Sequence, residues 1–112
     1  MRIALVLLLL LVSAPLSAAQ LVLFDESRCP LCQAWHRDVG TAYASSPEAA
    51  RAPLRQMSVH APMPRDLHRL AYPRGTPTFV LVDGGREIGR IEGYRGADAF
   101  WADLRALIAR LP

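Results

Sequence analysis

The sequence predicts an α/β domain, a four-stranded mixed sheet with helices on its faces, in the order β-α-β-α-β-β-α. Three observations lead there. The runs Leu21-Val22-Leu23-Phe24 and Phe79-Val80-Leu81-Val82 are continuously apolar, as strands buried on both faces are. Asp83-Gly84-Gly85-Arg86 reads as a hairpin turn, because glycine tolerates positive φ. Helix-period apolar patterns follow the first strand and close the chain.

Taken in order, residues 20–25 form the first strand and Glu26-Ser27-Arg28 a short loop. Residues 30–43 form a helix, with Leu31, Trp35, Val39, Ala42 and Tyr43 at helical spacing. Gly40 inside it costs about 1 kcal/mol against alanine and favours a bend or an early end. Ser46-Pro47-Glu48, a cap followed by proline at a helix start, predicts a short helix or helical turn within residues 44–53. Residues 54–59 alternate, with Leu54, Gln56 and Ser58 on one face and Arg55, Met57 and Val59 on the other, which predicts a strand. After a proline-rich loop at residues 60–64, residues 66–72 read as a short helix stopped by Pro73 and Gly75. Residues 79–82 and 87–92 are the hairpin strands. Ile88 and Ile91 cannot share one face of a regular strand, which calls for a bulge at Gly89. Residues 98–111 form the last helix, striped by Phe100, Trp101, Leu104, Leu107, Ile108 and Leu111, with Asp98 and Arg110 at the ends the helix dipole prefers. The first crossover joins parallel strands through a helix, and the hairpin adds an antiparallel pair.

The chain has 112 residues, one domain by length, and all thirteen basic residues are arginine. Its first residues read as a secretory signal: Arg2 supplies the positive end, residues 3–12 are unbroken apolar, and Ser17-Ala18-Ala19 offers small residues for cleavage before Gln20. The apolar run is shorter than the roughly 20 residues of a membrane span; an uncleaved N-terminal anchor is the alternative. Both readings deliver residues 20–112 outside the cytoplasm. Without residues 1–19 the charge is 12 Arg against 10 Asp and Glu, net +2, and no arginine run is interleaved with aromatics, so nucleic-acid binding has no support.

The chemistry concentrates in Arg28-Cys29-Pro30-Leu31-Cys32, which holds both cysteines of the chain at the junction of the first strand and the first helix. Free N–H groups and the dipole at a helix start favour an anion, and a thiolate is one. Cys29 is therefore expected to titrate below the usual value of about 8.5, in the range of about 3.5–7.5. Pro30 suits the first helical turn, which does not use its missing N–H. Cys32 lies within reach of a mixed disulfide on Cys29, so the pair reads as a redox dithiol. A structural disulfide is the plain alternative, but a bridge closing so short a loop constrains the unfolded chain little.

With these residues in view, the sequence resembles the thioredoxin fold family. Two separated signals carry the resemblance: Cys29-Pro30-Leu31-Cys32 after the first strand, and Gly75-Thr76-Pro77-Thr78 before the third, where the family places a cis-proline facing the dithiol. The stretch from Pro77 to Gly85, with Ile91-Glu92-Gly93-Tyr94, looks like the family's closing hairpin and the Gly-Tyr loop of its exported members. The resemblance covers residues 20–112. It departs from ordinary thioredoxin at two places: Arg28-Cys29-Pro30-Leu31-Cys32 replaces Trp-Cys-Gly-Pro-Cys, and Leu23 stands where thioredoxins bury an aspartate six residues before the first cysteine. Residues 24–32 are more similar to exported thiol-disulfide enzymes of the Dsb type, and most similar to the small periplasmic thioredoxins of bacterial sulfur oxidation (the Sox system).

The resemblance implies thiol–disulfide exchange without a cofactor. Cys29 attacks a partner disulfide and Cys32 resolves the mixed disulfide. Thr76 and Pro77 contact an extended substrate segment. Arg28, Pro30, Leu31 and His36 are candidate modulators, Arg28 by adding positive charge beside Cys29. The expected partners are protein disulfides and thiols, with a membrane thiol-reductant as electron donor; the expected state is a monomer in the periplasm, reducing its partners. The alternative of another class is a periplasmic copper or zinc carrier, because Cys29, Cys32 and His36 have ligand-like spacing and His60 or His68 can complete the set. An isomerase is the third reading; Dsb-type isomerases carry a dimerisation domain, for which 93 residues leave no room.

Overall fold

A computed structural model describes residues 19–112; the expected export signal over residues 1–19 lies outside them but for Ala19. Strand β1 spans Ala19–Asp25, and Leu21, Val22, Leu23 and Phe24 are all buried, as the unbroken apolar run requires. Helix α1 spans Pro30–Trp35 and continues through a π-helical turn at His36–Gly40 into α2, Thr41–Tyr43. Helix α3 spans Pro47–Arg51, where Ser46 Oγ accepts from the Ala49 N–H at 3.1 Å, the cap the sequence predicts. Strand β2 is Leu54–Ser58, a 3₁₀ turn covers Arg65–Leu67, strands β3 and β4 are Thr78–Asp83 and Arg86–Glu92, and α4 is Ala97–Ile108.

The sheet order is β2-β1-β3-β4, with β1 parallel to β2 and antiparallel to β3, and β3 antiparallel to β4. It is the predicted four-stranded mixed sheet. Gly84 and Gly85 close the hairpin with φ of 59° and 80°, the positive values a two-residue turn of this kind needs at both positions. The bulge is present one residue from its expected place. Leu81 pairs with Gly89 and Val82 with Glu87, so Ile88 is the extra residue, and both Ile88 and Ile91 pack on the same core. Gly89 itself marks a close approach: a Cβ there would stand 2.5 Å from Leu107 Cδ2, so its absence lets α4 settle on β4.

Two apolar layers flank the sheet. On one face Leu21, Leu23, Phe79 and Leu81 pack with Trp35, Val39 and Tyr43 of the first helical run and with Phe100, Leu104, Leu107 and Ile108 of α4. Between α3 and α4, Arg105 Nε donates to Glu48 Oε1 at 2.9 Å, and this bond holds the Glu48 carboxyl below its usual range. On the other face Val22, Phe24, Val80 and Val82 are covered by Leu67 and Leu70, with Met57 and Met63 beside them.

Four expectations need correction. Residues 66–72 are not a helix; only the 3₁₀ turn forms, and Leu67 and Leu70 meet the sheet at the three-residue spacing of that turn, with the Leu70 N–H donating to Leu67 O at 3.0 Å. Pro62, Pro64 and Pro73 leave too short a run for a helix to propagate. Leu31 and Ala42 do not join the core: Leu31 is 48% exposed and Ala42 is exposed, whereas Cys32, Trp35, Val39 and Tyr43 form the buried strip. The π turn explains Ala42, because its wider turn keeps Val39 and Tyr43, four apart, on the inner side. Gly40 therefore ends the π turn rather than the helical run. Helix α4 starts one residue earlier than expected and ends at Ile108, with Arg110 in the turn beyond it.

Candidate active site

β1 ends at Asp25, and a three-residue loop delivers Cys29 to the N-cap position of α1 with extended backbone, φ −87° and ψ 108°. Pro30 takes the first helical position and Cys32 the third, so the two Cα atoms lie 5.2 Å apart and the sulfurs are joined as a disulfide. Cys29 Sγ also accepts from the Cys32 N–H at 3.1 Å, using a backbone donor that the first turn leaves without a partner. Both cysteines are almost fully buried, at 5% and 2% exposure, while Arg28, Pro30 and Leu31 are exposed around them. A thiol partner thus meets a small apolar and cationic rim over a sulfur held against the Cys32 backbone N–H. Gln33 Nε2 donates to Ser27 O at 3.2 Å and closes the loop onto the helix.

The second expected element stands at the same end of the sheet. Thr78 pairs with Phe24, so Thr76 and Pro77 continue β3 past the end of β1 from which the cysteine loop springs. The Thr76–Pro77 peptide bond is cis, Pro77 is buried, and Thr76 is partly exposed. Thr78 Oγ1 donates to Gly75 O at 2.6 Å and the Gly93 N–H to Pro77 O at 2.8 Å, fixing this loop from both sides. A groove of about 270 Å³ beside it is lined by Arg74, Gly75, Thr76, Thr78, Glu92 and Gly93. Tyr94 is buried and donates its hydroxyl to Asp38 Oδ2 at 2.7 Å, tying the Gly-Tyr loop to the π turn. Burial, and after it this bond to Asp38, pushes the Tyr94 phenol up to about 12.

Sequence reasoning did not find one polar cluster next to the dithiol helix. His36 Nε2 lies 3.1 Å from Asp25 Oδ2, and Gln56 Nε2 donates to the same oxygen at 2.6 Å. The 3.4 Å approach of Gln56 Nε2 to His36 Nε2 follows from two donors converging on one oxygen. One sequence signal pointed this way, Asp25 lying two residues beyond Leu23 and so on its face of β1; Gln56 reaches it through the parallel register that pairs it with Leu23.

The proposed metal-ligand set does not come together. Cys29 and Cys32 are bonded to each other, His36 faces Asp25, His60 Nε2 lies 2.8 Å from Glu26 Oε2, and His68 Nδ1 lies 2.8 Å from Arg65 O. Among the described residues no group of three or more His, Cys, Asp or Glu is placed to hold a metal ion.

Comparison with known proteins was made on this chain. The model of the thioredoxin-like domain matches residues 14–108. Among solved structures, the periplasmic thioredoxin SoxS from Paracoccus pantotrophus, in its reduced form, is 35% identical, with a TM-score of 0.78 over 82% of this chain and 97% of that one. A thioredoxin from Thermus thermophilus is 32% identical, with a TM-score of 0.57 over 80% of this chain and 72% of that one. A thioredoxin from Malassezia sympodialis, 16% identical over 82% of this chain and 79% of that one, shares the fold at a TM-score of 0.60. A search of curated protein sequences found no match. A family match over most of the length, a neighbour that this chain covers almost completely, and a dithiol at the helix start agree: the chain belongs to the thioredoxin-like family and is a thiol-disulfide oxidoreductase.

Proposed function

We propose that this protein works in the periplasm as a reductant that keeps partner protein thiols reduced. The observation that carries the reading is the 35% identity to a periplasmic thioredoxin over 97% of that chain. The sequence supports export independently, through Arg2, the apolar residues 3–12 and the small residues Ser17-Ala18-Ala19, which read as a signal peptide ahead of a domain at residues 20–112.

In the proposed cycle Cys29, as thiolate, attacks a partner disulfide, and Cys32 then displaces the partner thiol. Thr76 and Pro77 align the partner's extended segment beside the dithiol. Arg28 adds positive charge near Cys29, and Leu31, exposed between the sulfurs, offers the partner an apolar contact. The oxidised pair is returned to the dithiol by a membrane thiol-reductant, and the protein acts as a monomer.

Direction rests on the potential of the couple. Equilibration of the Cys29–Cys32 pair against glutathione is expected to give a value close to that of thioredoxin, about −270 mV. A value near about −120 mV, that of a strong periplasmic oxidant, would reverse the direction while leaving the exchange chemistry in place.

A further inference from the structure

Strand β4 ends the sheet and has no strand on its outer side among the described residues. Between that edge and α4 runs a slot of about 350 Å³, floored by Phe100 and Leu107 and walled on the helix side by Ala99, Asp103 and Ala106. We propose that this slot takes an extended, carboxylate-bearing segment of the partner protein as a fifth strand, continuing the Thr76–Pro77 groove away from the dithiol. The proposal rests on the exchange reading above and names what a preferred partner must carry.

Continuity is the first support. Glu92 and Gly93 line both this slot and the groove beside Thr76, so a chain lying along Thr76 runs into the slot without a break. Backbone direction is the second. The Gly93 N–H bonds Pro77 O, and the register alternates from there: Thr78 with Glu92, Phe79 with Ile91, Val80 with Arg90. In an antiparallel ladder every second residue turns its N–H and C=O to the neighbouring strand, so Arg90 and Glu92 turn theirs outward. Alternating donors and acceptors on a sheet edge match a peptide backbone better than a small anion. The bulge at Ile88 ends the regular edge and limits the added strand to a few residues.

Charge is the third support. Arg110 reaches back across β4, where a Cβ on Gly89 would stand 3.3 Å from its Nη1. Its guanidinium has no hydrogen bond or ion pair among the described residues. The other charges of the slot are matched. Arg90 Nε donates to Glu87 Oε2 at 3.0 Å, Arg95 Nη2 donates to Asp103 Oδ2 at 3.3 Å, and Glu92 shares the Thr76 groove with Arg74. The end of the slot farther from the dithiol therefore presents an unmatched planar cation, which a carboxylate meets with two parallel hydrogen bonds. Side chains of a strand alternate between faces, so apolar residues on one face of the segment meet the Phe100–Leu107 floor.

The test uses the full-length reduced protein and disulfide-linked fluorophore–quencher peptides. A short probe spans only the cysteine and its neighbours. Two longer probes add about six alternating valine and threonine residues ending in glutamate, one before the cysteine and one after it, since the groove sets one direction. One longer probe is expected to show a KM about tenfold below that of the short probe, with kcat unchanged. Methylating alternate backbone nitrogens of its extension should remove that advantage. Arg110→Gln should raise the KM of the longer probe about threefold and leave the short probe unchanged. Ala106→Glu places a carboxylate one turn before Arg110, so it should occupy the guanidinium and act in the same direction. The extension alone, with serine for cysteine, reads the slot without exchange: the Arg90 and Glu92 amide resonances of labelled protein should shift on its addition. Equal KM values for short and longer probes would overturn the proposal, as would an advantage that survives backbone methylation or both variants. A protein whose Arg90 and Glu92 resonances shift but which reduces no probe would defeat the exchange reading and leave the slot in place.

Discussion

Cys29→Ser is expected to abolish disulfide reduction, whereas Cys32→Ser is expected to keep the first step and stop at a stable mixed disulfide. The difference follows from position. Cys29 caps the helix, accepts from the Cys32 N–H at 3.1 Å, and has an exposed rim of Arg28, Pro30 and Leu31 through which a partner sulfur arrives. Cys32 lies inside the first turn at 2% exposure, so a bulky disulfide meets Cys29 first. Insulin reduction measures the overall effect: turnover should fall to the uncatalysed rate in both variants. Non-reducing electrophoresis separates them, since only Cys32→Ser should accumulate a covalent adduct with insulin. An adduct formed by Cys29→Ser and not by Cys32→Ser would exchange the roles of the two sulfurs.

Trp35→Ala is expected to cost about 3–5 kcal/mol, a large share of the roughly 5–15 kcal/mol that holds a domain folded. Trp35 is fully buried, with ring centroids 5.2 Å from Phe79 and 5.6 Å from Phe100, so it joins the helix carrying the dithiol to both β3 and α4. Truncation removes these contacts and leaves a cavity beneath the active-site helix. Its Nε1 is the one buried side-chain atom without a hydrogen-bond partner among the described residues. Trp35→Phe should therefore be milder than alanine, because it deletes an unpaired donor along with the lost ring. Trp101→Ala should also cost less, since that ring is only partly buried, although it stacks on Tyr43 at 5.9 Å. Urea midpoints of the three variants give the ranking; a midpoint for Trp35→Ala equal to that of Trp101→Ala would contradict it.

Much of this was legible in the chain because it depended on local signals. The apolar runs fixed β1 and β3, two adjacent glycines made the turn, and the conflict between Ile88 and Ile91 located the bulge within one residue. The dithiol was visible because the chain's two cysteines stand two residues apart at a strand–helix junction, and the Thr76–Pro77 loop only through the resemblance to the thioredoxin fold family. What stayed hidden depended on register. Asp25, His36 and Gln56 lie on three different elements, and they meet only through the parallel pairing of Leu23 with Gln56 and the winding of the helix at His36. Spacing alone suggested metal ligation for His36, since it reports distance along a helix and not which strand end the ring meets. The misread helix at residues 66–72 shows the same limit: Leu67 and Leu70 fit either a helix or a 3₁₀ turn, and the prolines decided for the turn.

The sulfur that begins the exchange must be ionised at working pH, and one titration bears on this most directly. Iodoacetamide alkylation of reduced Cys32→Ser protein, followed by mass across pH, reads Cys29 alone. A midpoint within about 3.5–7.5 is the expected result for a thiol at a helix start; a midpoint near about 8.5, that of an ordinary cysteine, would contradict it.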